Sequence, residues 1–233
     1  MKTILFQGDS ITDCGRYRKA TDKKQYTRVL FSDGKLFKKK TALGDGYPAM
    51  VSSSLEKAFP GEYKFFNRGV GGDKITSVYE RMQKDIIALK PDCMSLLIGV
   101  NDVWHRYDFG QCGTTAEKFE EIYDLLLSEV KAEIPGIKLI IMGPFVLEGT
   151  ATENRDSQPD RYAEFTSEVA RLAAIAEKLA GKYGCPFIDL QSVFDEAVKS
   201  TPAKELLSDG VHPTEKGHSL ITEQWLAAYS KLR

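Results

Sequence analysis

CMSLLI, residues 93–98, is apolar at nearly every position and stops at Gly99-Val100-Asn101-Asp102. A strand with one wet face alternates apolar and polar side chains. A run that does not alternate is covered on both faces, as in parallel sheets. Comparable runs lie on either side of it. Thr3 to Phe6 ends at Gly8, Tyr63 to Phe66 ends in NRGVGGD (67–73), Ile137 to Met142 ends at Gly143-Pro144, and Phe187 to Leu190 is the last. Helical patterns fill the intervals. Phe119, Ile122, Tyr123, Leu126 and Val130 recur at helical spacing until Ile134-Pro135-Gly136 stops them. An Ala-rich amphipathic stretch runs from about Tyr162 to Tyr183 and closes at Gly184, and a last helix begins near Thr214. This alternation predicts an α/β fold, a doubly wound three-layer α/β/α sandwich around a central parallel sheet of about five strands. Sites in such sheets form at the carboxyl ends of the strands.

At 233 residues the chain suits one well-buried domain, expected to span 1–233. The formal charge of −1, from 32 basic and 33 acidic side chains, provides no global field for nucleic acid or an anionic membrane, so neither is expected as a partner. MKTILFQGDS at the N-terminus is too short in apolar residues for a signal peptide, and no run approaches the roughly 20 residues that cross a bilayer. The expected location is cytoplasmic. Cys14, Cys93, Cys112 and Cys185 are far apart and read as free buried thiols of a reducing compartment. One stretch breaks the rhythm: Arg16 to Lys40 is strongly basic and ends in Lys38-Lys39-Lys40. It reads as a solvated excursion with a hairpin around Ser32-Asp33-Gly34, or else as a substrate rim or subunit contact.

Chemistry-bearing residues gather at the predicted strand ends. Ser10 in Gly8-Asp9-Ser10 follows the first strand and opens a helix, where backbone N–H groups point outward. By itself the tripeptide is equally a turn and helix cap. A nucleophilic serine needs a base, and the base needs an orienting partner. Asp209-Gly210-Val211-His212-Pro213 supplies both, with the carboxylate three residues before the imidazole. A metal site of Asp209, His212 and His218 is the competing reading, without further clustered ligands to complete it. Acyl transfer also builds negative charge on a carbonyl oxygen, so fixed donors must face it. The Ser10 amide, the Gly72 amide and the Asn101 side chain are candidates; a plain turn, a phosphate loop at 69–72 and a helix-capping Asn101 are the alternatives. Trp104 is a candidate aromatic wall for a sugar ring, or packs under the loop. Asp9 and Asp102 read as loop braces, and His105 as a rim residue.

Taken together, Ser10 in GDSIT, Gly72 in NRGVGGD, Asn101 in GVND, and Asp209 and His212 in DGVHPT resemble the four blocks of the SGNH hydrolases, the GDSL esterase/lipase family. All four occur in order across essentially the whole chain, and no GxSxG elbow is present. GDSITDCGR, KPDCMSLLIGVNDVWHRYD and PFVLEG look further like the intracellular acetylxylan esterases of that family, although the basic stretch from Tyr17 looks longer than theirs. The resemblance implies an SGNH/flavodoxin-like fold, a Ser10-His212-Asp209 triad and an oxyanion hole from Ser10, Gly72 and Asn101. It implies a serine esterase that removes short acyl groups, expected to be acetyl, from carbohydrates such as xylo-oligosaccharides through an acyl-enzyme. No metal or organic cofactor is expected, the partner is a small-molecule or oligosaccharide ester, and a homo-oligomer is suggested. The alternatives are a lipid acyl-ester hydrolase or thioesterase and, outside enzymes, a catalytically silent carbohydrate-binding module.

Overall fold

The structure, a computed structural model, describes residues 1–17, 42–108, 110 and 112–233, together with the backbone at 31–32 and 35–36. In chain order the elements are β1 (Lys2–Gly8), α1 (Ser10–Asp13), β2 (Phe31–Ser32), β3 (Lys35–Leu36), α2 (Tyr47–Ala58), β4 (Tyr63–Asn67), α3 (Ile75–Glu80) and α4 (Met82–Asp85). After a short 3-10 turn follow β5 (Cys93–Leu97), α5 (Val100–Asp108), α6 (Ala116–Glu133), β6 (Lys138–Met142) and α7 (Arg161–Tyr183). The chain then forms β7 (Phe187–Ile188), α8 (Leu190–Ala197), α9 (Ala203–Leu206) and α10 (Glu215–Ser230).

Five strands form one sheet in the order β4-β1-β5-β6-β7, and each neighbouring pair is parallel. All five residues of β5 are buried, as its unbroken apolar run requires. Helices α2 and α10 pack together on one face, while α3, α6 and α7 form the other. The chain leaves β1 for β4 on one side and returns to β5 on the other. The connections after β1 and β5 therefore diverge, opening a crevice at this switch point. The residues after β1, β4 and β5 are Ser10, Gly72 and Asn101, so the topology alone gathers three of the expected site residues.

The face under α10 is aromatic. Phe6 of β1 lies between Tyr47 of α2, with centroids 5.8 Å apart, and Trp225 of α10, at 5.4 Å. All three are fully buried, each such side chain contributing on the order of 1.5–3 kcal/mol. This packing seats α10, and the loop just before α10 carries His212.

Three features differ from the sequence reading. The last strand stops at Ile188 because Asp189 caps α8, accepting from the Ser192 N–H at 3.1 Å. Helix α2, unread in the sequence, has its signal in Tyr47, Val51 and Leu55 at fourfold spacing with Pro48 in the first turn. The cysteines are all free, yet only Cys93 is buried; Cys112 is exposed and the other two are half-buried. Of the basic stretch, Phe31 pairs with Leu36 and Ser32 with Lys35, antiparallel as in the expected hairpin. Its remainder from residue 18 to residue 41, and any rim or contact role there, lies outside the described residues. Among the described residues, no helix is long and apolar enough to cross a membrane.

Candidate active site

Ser10 is the first residue of α1, a single turn that Asp9 caps by accepting the Ile11 N–H at 2.9 Å. As the first residue of the turn, Ser10 keeps its own N–H free of helical bonding. Asp9 is buried, and that burial pushes its carboxyl up to about 7 against the lowering effect of the Ile11 N–H. Burial thus works against a full charge on the brace behind the serine.

Ser10 Oγ lies 2.9 Å from His212 Nε2, and His212 Nδ1 lies 2.7 Å from Asp209 Oδ2. The second Asp209 oxygen accepts the backbone N–H groups of Val211 at 2.9 Å and His212 at 2.7 Å. That Asx turn holds the carboxylate under its own imidazole and needs only three residues of chain. Burial would raise the Asp209 carboxyl, but the imidazole and the two N–H donors outweigh it and hold it at about 2. The bond to Asp209 raises His212 above its ordinary value, against the effect of burial. An ionised Asp209 accepts from Nδ1–H, so the neutral ring presents a bare Nε2 to the Ser10 hydroxyl, the tautomer a general base requires.

The loop that carries Asp209 and His212 is held from outside. Leu147 N–H donates to Gly210 O and Ala151 N–H to Asp209 O, both at 2.9 Å. A β-carbon at Gly149 would stand 2.4 Å from the Asp209 carbonyl carbon, so only glycine allows this approach.

The loop after β4 is tied to α1. Asn67 Nδ2 donates to Thr12 O at 2.6 Å and Leu43 O at 2.9 Å, while Gly71 N–H donates to Asp13 Oδ2 at 3.2 Å. A β-carbon at Gly71 would meet Ser10 Cβ at 3.8 Å, which places this loop beside the serine. Gly72 has φ +84°, a left-handed conformation, and a β-carbon there would meet nothing. That backbone conformation by itself calls for glycine. Asn101 is buried, and its Nδ2 donates to Asp73 O at 3.1 Å. One of its two amide hydrogens is therefore spent on orientation, and the other has no hydrogen-bond partner among the described residues.

Trp104 is half-buried, with its ring 5.8 Å from that of His212 and its Nε1–H donated to Asp108 Oδ2 at 2.7 Å. His218, weighed as a metal ligand with Asp209 and His212, lies instead beside Cys14, with Nε2 3.7 Å from the thiol. Burial pulls His218 down to about 4. Asp102 braces α3 through the Ile75 N–H at 3.2 Å, and burial holds its carboxyl up at about 7. His105, on α5, is lowered by partial burial and by Lys74. The sequence reading missed Asn67 and Asp13, which pin the loop; their signal lies in NRG directly after a strand and in an acidic residue one turn after Ser10.

Residues 6–220 match the family model described as the GDSL-like lipase/acylhydrolase family. The chain is 31% identical over 227 residues to an acetylxylan esterase of Geobacillus stearothermophilus, covering 96% of this chain and 91% of that protein. A solved structure of a GDSL-like lipase from Parabacteroides merdae superposes with a TM-score of 0.82 at 34% identity, over 98% of this chain and 95% of that one. The crystal structure of the Geobacillus esterase gives a TM-score of 0.77 at 28% identity, over 97% and 93%.

Proposed function

This chain belongs to the GDSL-like lipase/acylhydrolase family and is a carboxylic ester hydrolase; from that premise we propose that it removes acetyl groups from short carbohydrate esters through an acyl-enzyme on Ser10. The observation that carries the proposal is the unbroken relay from Ser10 Oγ through His212 to Asp209, at 2.9 and 2.7 Å, set at the switch point of the sheet. The acetyl and carbohydrate assignment is supported by the likeness to an acetylxylan esterase.

In the reaction, Ser10 Oγ attacks the ester carbonyl as His212 Nε2 takes its proton, and Asp209 stabilises the imidazolium that forms. The tetrahedral oxyanion accepts from the Ser10 and Gly72 amides and the free Asn101 hydrogen. Collapse expels the sugar hydroxyl, which leaves with the proton from His212. Water, deprotonated by the same imidazole, then releases acetate from Ser10. Apart from that water, each step uses protein groups.

Two measurements test this reading. Acetate release from acetylated xylo-oligosaccharides should be rapid, and acetyl should be preferred over octanoyl among p-nitrophenyl esters; preference for the long chain would overturn the acetyl assignment. Asn101→Ala should lower kcat by about 10²–10³-fold, read per serine labelled by a fluorophosphonate so that unfolded protein is not counted. A variant with the wild-type rate would remove Asn101 from the oxyanion hole.

A further inference from the structure

Arg161 opens α7 and is buried completely. Neither fact favours a cation. Burial strips it of water, and the N-terminal end of a 23-residue helix carries partial positive charge. Its guanidinium nevertheless uses all five donors. Nη1 donates to Asp108 Oδ1 at 3.1 Å and Gln158 Oε1 at 2.7 Å, and Nη2 to Asp108 Oδ2 at 2.8 Å and Ala151 O at 2.6 Å. Nε adds a bond to Ala151 O at 3.3 Å.

Two of these three partners, Asp108 and Ala151, lead to the same place. Asp108 Oδ2 also accepts Trp104 Nε1–H at 2.7 Å, and the Trp104 ring rests 5.8 Å from the His212 ring. Ala151, whose carbonyl takes two Arg161 bonds, donates its own N–H to Asp209 O at 2.9 Å. One arm therefore ends on the imidazole and the other on the backbone of its carboxylate. Phe165 closes the gap between them: it meets Trp104 edge-on at 6.5 Å and lies 5.7 Å from the guanidinium carbon.

We infer that Arg161, Asp108 and Trp104 form a clamp that positions the His212–Asp209 pair, with Arg161 as its hub. The inference rests on the reading of His212 as the base. With its only polar hydrogen committed to Asp108, Trp104 offers substrate no hydrogen bond; its part is to fix the rotation of the His212 ring so that Nδ1 meets Asp209 while Nε2 meets Ser10. The charged groups that raise His212 are Asp209 from its own loop and Asp9 from the turn after β1, and neither belongs to the clamp; His218 on α10 is itself lowered by His212. Burial lowers His212, so exposing its ring would raise its pKa; a shift to lower pH on breaking the clamp therefore reports a loosened bond to Asp209.

Trp104→Phe keeps an aromatic ring and leaves the Arg161–Asp108 pair intact while cutting the link between them and the ring. Arg161→Lys keeps the buried charge but cannot reach Asp108 and Ala151 together. With p-nitrophenyl acetate, each variant should lose about 10- to 100-fold in kcat, the scale of a 1 Å misplacement, with KM unchanged. The acid limb of kcat/KM should move to lower pH as the His212–Asp209 bond loosens. A raised KM with normal kcat would make Trp104 a substrate wall and overturn the clamp, as would a normal rate with an unmoved limb. Ser10→Ala run alongside separates the two readings: inactivity there, with wild-type kinetics in both clamp variants, rejects the clamp alone.

Discussion

Ser10→Ala is expected to abolish turnover of aryl and carbohydrate acetates, lowering kcat by about 10⁴–10⁶-fold, the range seen when a triad nucleophile is removed. The neighbouring thiol cannot replace it. Cys14 lies one turn further along, but burial raises its thiol far above the range where a thiolate forms, and the thiol donates to Ile11 O at 2.8 Å. The fold should not notice the change: Asp9, not Ser10, caps the turn, and the hydroxyl's bonded partner is the half-buried His212 ring. Thermal unfolding at the wild-type midpoint together with lost turnover is the expected pair of results. Turnover within tenfold of wild type would remove Ser10 from the mechanism.

Asp209→Asn should cost nearly as much, about 10⁴-fold in kcat, for a different reason. An asparagine oxygen can still accept from the Val211 and His212 N–H groups, so the loop survives. Its amide nitrogen, however, would face His212 Nδ1 and donate to it, placing the ring hydrogen on Nε2, where Ser10 needs an acceptor. The pH dependence follows with a definite sign. His212 must be neutral to act, and Asp209 raises its pKa above the ordinary 6.5. The wild-type kcat/KM should therefore fall as pH drops through a point above 6.5. In the variant the main cause of that elevation is gone, and the limb should move to lower pH while the plateau collapses. A limb left in place would show that another group controls it.

The parts of this molecule legible in sequence are those where one local pattern suffices. The unbroken apolar run of β5 announces a strand covered on both faces, and the polar residues just past β1, β4 and β5 mark the sheet edge where chemistry collects. Asp209 and His212 are legible for the same reason, since three residues of chain bring them together. What escaped depends on contacts between distant segments. Arg161 looks like one more charged residue at the start of an amphipathic helix, and its partner Asp108 stands 53 positions away. Trp104 could be read equally as a wall or as packing because only the fold reveals that its N–H is already taken. Helix α2 was missed although its apolar spacing is regular, since the basic stretch before it hides where it starts. The two-residue β7 was overestimated because an apolar run cannot reveal that Asp189 caps the next helix.

Ser10 and His212 stand 202 positions apart and are brought together as Trp225 seats the last helix against the first strand. At ribosomal speeds of 5–20 residues per second, the nucleophile is synthesised about 10–40 s before its base. Throughout that interval the growing chain carries an ordinary alcohol, no more reactive than any other serine. On the proposed mechanism, hydrolytic power therefore waits for the segment that carries His212, and a chain cut before it lacks the base that activates Ser10.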